Sequence, residues 1–170
     1  YGNINERRHQ LHEVIRPSGQ NLSIDDQDYP LIIKVASVSA ARMQVYFIDN
    51  EEFFKRKFVT VDENGKEFKD NDERSMFFCR GVLETVKKLG WKPDVIHCHG
   101  WFTALMALYI KGTYAKDPHF AGTKVVYSLY NNTFETNWDK RLSDKLKFEG
   151  FESHILDQIE GTSCIDITKL

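Results

Sequence analysis

Between Asp70 and Leu129 the chain alternates between helical and extended patterns, and few folds accommodate that alternation. Asp70, Asn71 and Asp72 are residues that cap helices, and acids in a first turn suit the helix dipole. Behind them Phe77, Val82, Leu83, Val86 and Leu89 recur at helical spacing and stop at Gly90. Val95-Ile96, just after Pro93, predicts a short strand. Residues 101 to 114 predict a second helix with Leu105, Leu108 and Tyr109 on neighbouring faces, and Val125 to Leu129 a buried strand. Helix, strand, helix, strand in this order implies α/β architecture, with a mostly parallel, doubly wound sheet.

Upstream, the apolar runs Leu31 to Val38 and Arg42 to Asp49 lie too close together for a parallel crossover, which takes a dozen or more residues. They predict an antiparallel hairpin inserted into the fold. Asp49-Asn50 caps a helix opening at Glu51, and Asp62 to Lys66 forms a turn. Lys140 to Gly150 predicts a polar helix, and residues 151 to 170 a short helix at most.

A length of 170 residues, 41% of them hydrophobic and 13% aromatic, is enough for one core, so 1–170 is expected to be a single domain. The net charge of -2 gives no electrostatic argument for nucleic acid or an anionic membrane. No apolar stretch approaches the roughly 18 residues of a membrane span. The three cysteines, Cys79, Cys98 and Cys164, have no C-x-x-C spacing, as expected of reduced thiols in a cytoplasmic protein. The opening Tyr1-Gly2-Asn3, without an initiator Met, suggests a piece of something longer, or a processed or engineered chain.

In open α/β sheets ligands bind beyond the carboxyl ends of the strands, which makes the turn after Val95-Ile96 the candidate cleft. It carries His97, His99 and Trp101, with Gly100 and Phe102 between and after them. Two histidines two residues apart on a strand face one way and so share a face on which a metal could sit. No third ligand stands nearby in sequence, however, and Cys98 points away. No metal is therefore expected, and the residues suggest one core histidine beside one cleft histidine. Nothing visible would lower the Cys98 pKa, so it is not read as a nucleophile. Glu51, Glu52, Asp70, Asp72 and Glu73 are expected to be solvated helix starts. Neither G-x-G-x-x-G nor a P-loop is present. The residues alone therefore indicate an α/β domain with a cleft near 97 to 102 and 130 to 132.

The stretch DNDERSMFFCRGVLETVKKLGWKPDVIHCHGWFTALMALYIK resembles the starch and glycogen synthases, in which a D-N-x-x-R-F-type helix precedes P-D-(V/I)-(I/V)-H-x-H-D-W-H and a long helix. Tyr1 to Ile4, Val45 to Phe54, and Lys124 to Asn132 (similar to the family's F-T-I-H-N-L strand end) extend the resemblance, in order, over about residues 1 to 135. It implies the N-terminal half, incomplete, of a two-domain GT-B glycosyltransferase. That family moves glucose from ADP-glucose or UDP-glucose to the non-reducing end of an α-1,4-glucan, with retention and without a metal or other cofactor.

By the same resemblance His97, His99, Trp101, Phe102, Tyr130 and Asn131 are the expected substrate-binding residues, and no catalytic residue is assigned. Neither the K-x-G-G-L loop nor the C-terminal donor-binding domain falls within residues 1–170, so the isolated chain is expected to be inactive. A sheet edge left exposed by a missing first strand would favour self-association. The family's D-W-H is Gly100-Trp101-Phe102 here, and its I-H-N is Leu129-Tyr130-Asn131. A phenyl ring stacks on a pyranose but donates no hydrogen bond. The alternative is a diverged, non-catalytic homologue that binds α-glucan or a protein.

Overall fold

The structure, a computed structural model, describes residues 4–15, 21–130, 138, 141–159, 161, 162 and 167. They divide between two compact units, Tyr1–Ser23 with Gln27–Phe68, and Ile24–Asp26 with Lys69–Leu170.

The first unit is built on antiparallel strands. They are β1 (His12–Ile15), β2 (Asn21–Ile24), β3 (Gln27–Pro30), β4 (Ile32–Val38) and β5 (Met43–Asp49). β1, β4 and β5 form a sheet in that order, and β2 pairs with β3. The expected hairpin is present: β4 and β5 pair antiparallel from Ile32↔Asp49 to Val38↔Met43, and alternation buries Ile33 and Val35. Asn50 caps α1 (Glu51–Phe54) by accepting a bond from the Phe53 N–H at 3.1 Å. The turn at Asp62 forms because its carboxylate accepts from the Asn64 and Lys66 amides.

The second unit contains α2 (Asn71–Lys88), β6 (Val95–His99), α3 (Met106–Lys111), β7 (Lys124–Ser128), α4 (Leu142–Phe148) and α5 (Ser153–Ile159). β6 and β7 are parallel, from Val95↔Lys124 to His99↔Ser128. The α/β alternation is as predicted, whereas the mostly parallel sheet is not: among the described residues parallel pairing is confined to this one pair. β7 is not buried either, since its alternate residue Val126 is 47% exposed.

The helix expected over 101 to 114 is a 3-10 turn at Trp101–Thr103 followed by the six residues of α3. Gly112 ends it, and a side chain there would meet Phe151 Cε1 at 2.7 Å and the Leu108 carbonyl at 2.9 Å. Phe151 thus packs directly on the backbone where the helix stops. The core of this unit is Met76, Phe77, Cys79, Leu83, Leu105, Tyr109 and Leu146.

Candidate functional site

The site begins with the end of α2. The Gly90 N–H bonds the Lys87 carbonyl and the Trp91 N–H the Val86 carbonyl, the paired bonds of a Schellman cap, which turns the chain toward Pro93. Thr123 then donates its hydroxyl to the Pro93 carbonyl at 2.7 Å, and the Lys124 N–H meets the Asp94 carbonyl. These two bonds set the register in which β6 and β7 run side by side.

That register decides which side chains meet. Val95, His97 and His99 share a face with Lys124, Val126 and Ser128, while Cys98 points to the other face and is buried. Each histidine reaches a hydroxyl diagonally across. His97 Nε2 shares a hydrogen bond with Ser128 Oγ at 2.8 Å, and His99 Nδ1 with Tyr130 Oη at 2.6 Å. The two imidazoles lie 4.0 Å apart, and Tyr130 stacks near His99 at 6.0 Å. Both histidines are exposed, so the expected division into a core and a cleft histidine does not hold: their shared face is uncovered in this chain. Among the described residues no three His, Cys, Asp or Glu side chains gather to hold a metal. Burial pushes the Cys98 thiol up to about 11 against the bond from Thr103, as befits a packed side chain.

β6 leaves the sheet through Gly100, whose φ of 74° and ψ of 169° fall where essentially only glycine is comfortable. An aspartate in the corresponding motif position would be strained in this backbone. Thr103 closes the turn by donating to the Gly100 carbonyl at 2.8 Å, and Tyr127 donates to Thr103 Oγ1. Trp101 and Phe102, both half-buried, stack with centroids 4.1 Å apart.

α2 fastens this turn from below. Ser75 Oγ donates to the Phe102 carbonyl at 2.9 Å, and Cys79 Sγ lies 3.5 Å from the same oxygen. The buried Arg74 guanidinium sits 5.1 Å from the Phe102 ring, donates to Asn71 Oδ1, and Phe78 meets that ring edge-on. Sequence reasoning missed this support. Its signal is Asn71, Arg74, Ser75 and Phe78, an i, i+3, i+4, i+7 row that interrupts an apolar face with polar groups.

The acids of α2 also depart from expectation. Asp70 occupies the N-cap position without a capping bond from its side chain. Asp72 is buried and not solvated, because Lys145 of α4 meets it at 2.7 Å and Glu73 at 2.8 Å. Burial pushes the Asp72 carboxyl up against the pull of Lys145, whose ammonium, in spite of desolvation, is held above its ordinary range by the two carboxylates. Further along, Glu149 accepts from Arg80 and Tyr109, and Glu84 accepts from Tyr114.

The structure therefore brings together His97, His99, Trp101, Phe102 and Tyr130 of the expected substrate-binding residues. Asn131 lies outside the described residues, as does Cys164. Among the described residues no helix is long and apolar enough to cross a membrane.

The starch synthase catalytic domain family matches residues 1–170. A glycogen synthase of Chlorobium limicola is 42% identical over 132 residues, 77% of this chain and 27% of the relative. One from Chlorobaculum tepidum is 39% identical over 92% of this chain and 34% of its own length. The chain thus spans about a third of the relatives it matches. The catalytic domain of starch synthase IV from Arabidopsis thaliana, solved bound to ADP and acarbose, superposes with a TM-score of 0.68. It is 21% identical, and the match covers 92% of this chain and 31% of that one, which establishes a shared fold.

Proposed function

Since this chain belongs to the starch synthase catalytic domain family, we propose that its two compact units are parts of one N-terminal, Rossmann-like glycosyltransferase domain of the GT-B kind. In this reading the protein transfers glucose from ADP-glucose or UDP-glucose to the non-reducing end of an α-1,4-glucan with retention. Residues 97 to 102 and Tyr130 form its acceptor wall.

The observation that carries the reading is the convergence of two exposed imidazoles, a phenol and a stacked Trp101–Phe102 pair at the carboxyl end of the parallel strands. Aromatic faces bind the C–H faces of pyranoses, and the second nitrogen of each imidazole, without a partner among the described residues, suits sugar hydroxyls. The family name and the relatives' names support the chemistry.

The test is maltoheptaose binding by calorimetry. Trp101→Ala is expected to weaken it by about tenfold, the equivalent of roughly 1.4 kcal/mol. Unchanged affinity would return Trp101 to a packing role.

A second reading, glucan binding without transfer, is favoured by Phe102. Its ring is held over Arg74 and its carbonyl over Ser75, and it has no proton to give at developing charge. Glucosyl transfer by the protein carrying this segment would exclude that reading. The outer edges of β6 and β7, unpaired among the described residues, are the basis for proposed self-association, which sedimentation velocity over a concentration series checks.

A further inference from the structure

Trp138 enters none of the contacts described so far. Its side chain is 8% exposed, and its indole lies 6.1 Å from that of Trp101 at an interplanar angle of 59°. It extends the row that runs from the Arg74 guanidinium through Phe102 and Trp101, so that three aromatic rings are in sequential contact. Nothing in the sequence motifs singles it out, since it lies beyond the end of β7 in a stretch of mixed polarity.

What sets Trp138 apart is its polar tip. Among the described residues its Nε1 is buried with no hydrogen-bond partner. Buried indole N–H groups ordinarily find an acceptor, because leaving one unpaired forfeits the bond it made with water. An unpaired donor costs the free protein and is relieved when an acceptor oxygen arrives. The difference between those two states becomes binding free energy.

We propose that Trp138 is a further glucan-binding residue, its indole N–H reserved for a sugar hydroxyl and its ring continuing the platform of Trp101 and Phe102. The inference rests on the acceptor-wall reading above. A hydroxyl-rich, uncharged ligand fits because an indole offers one donor, no acceptor and no charge. The aromatic faces beside it suit the C–H side of the same sugar. Because the N–H is covered in the structure, this role requires that the ring or what covers it shift as the ligand binds.

The test compares wild-type protein with Trp138→Phe, which keeps an aromatic ring and removes the N–H. The variant is expected to bind maltoheptaose about fivefold more weakly. Loss of the buried fused ring lowers the melting temperature of a packing residue and a binding residue alike, so affinity is the deciding readout: unchanged affinity overturns the proposal. In parallel, the three indole N–H resonances are assigned with Trp91→Phe and Trp101→Phe, and the remaining resonance is expected to move as maltoheptaose is added to wild type. A stationary Trp138 resonance overturns the proposal even if Trp138→Phe fails to fold. Wild-type protein that binds no maltoheptaose overturns the acceptor-wall reading itself, whereas wild-type binding with an indifferent Trp138 overturns only this step.

Discussion

Along α2, Lys145 and Glu149 are drawn almost wholly out of water, with side chains 1% and 4% exposed, whereas at the end of β6 both histidines stand in it. The α2 flank gives its buried ions partners: Lys145 has Asp72 and Glu73, and Glu149 has Arg80 and Tyr109. The β6–β7 end holds its polar groups with single bonds to hydroxyls and leaves half of each imidazole unspent. One region spends its hydrogen-bonding capacity on the fold; the other leaves part of it facing solvent.

The largest effect expected from that contrast is at Lys145. Lys145→Met strands the buried Asp72 carboxyl, and breaking a buried pair by removing one partner costs about 3–5 kcal/mol. Urea unfolding measures it, and a loss under about 1 kcal/mol would mean the flank is not held by its ions.

Gly100→Ala comes next. A Cβ there meets nothing within 4 Å, so the effect is the backbone conformation alone, about 1–3 kcal/mol by the same urea unfolding.

Asp117 gives a smaller, pH-dependent effect. Desolvation works against its charge, but the His119 amide, the Lys87 ammonium and the His119 ring outweigh it and hold the carboxyl at about 2, below its ordinary 3.8. Its stabilising contribution is therefore complete above about pH 4 and is lost as pH falls through about 2. Asp117→Asn is expected to lower stability at pH 6 and to flatten that acid limb in thermal melts; an unchanged limb would remove Asp117 from the linkage.

Least of all in stability, His97→Ala and His99→Ala are expected to change unfolding free energy by less than about 0.5 kcal/mol while weakening maltoheptaose binding. Large destabilisation by either would erase the distinction between the two regions.

Local patterns made much of the fold legible. The hairpin of β4 and β5 followed from the short gap between two apolar runs, α1 from Asn50, and the end of α2 from Gly90. The parallel order of β6 and β7 followed from their alternation with helices. Failures came where distant residues decide. Asp72 is 73 positions from Lys145, so its burial has no local mark. α3 gives up its expected first turn to the 3-10 turn at Trp101–Thr103, and at its other end Phe151, distant in sequence, packs against Gly112. β7 reads as a buried strand because Val125, Val126 and Leu129 are apolar, yet what covers a strand is a tertiary matter and Leu129 is 60% exposed. Within the site, the motif named the turn; the support from Arg74 and Ser75 and the approach of Trp138 depend on side chains that sequence spacing does not bring together.

The double hold on the Phe102 carbonyl has a kinetic consequence. With Ser75 and Cys79 both reaching that oxygen, the 3-10 turn cannot open without releasing polar groups on the buried face of α2. The amides of Thr103 and Ala104, which close the turn onto Gly100 and Trp101, should therefore trade hydrogen for deuterium at the slow pace of the helix beneath. The turn would then open with the core, as one cooperative unit.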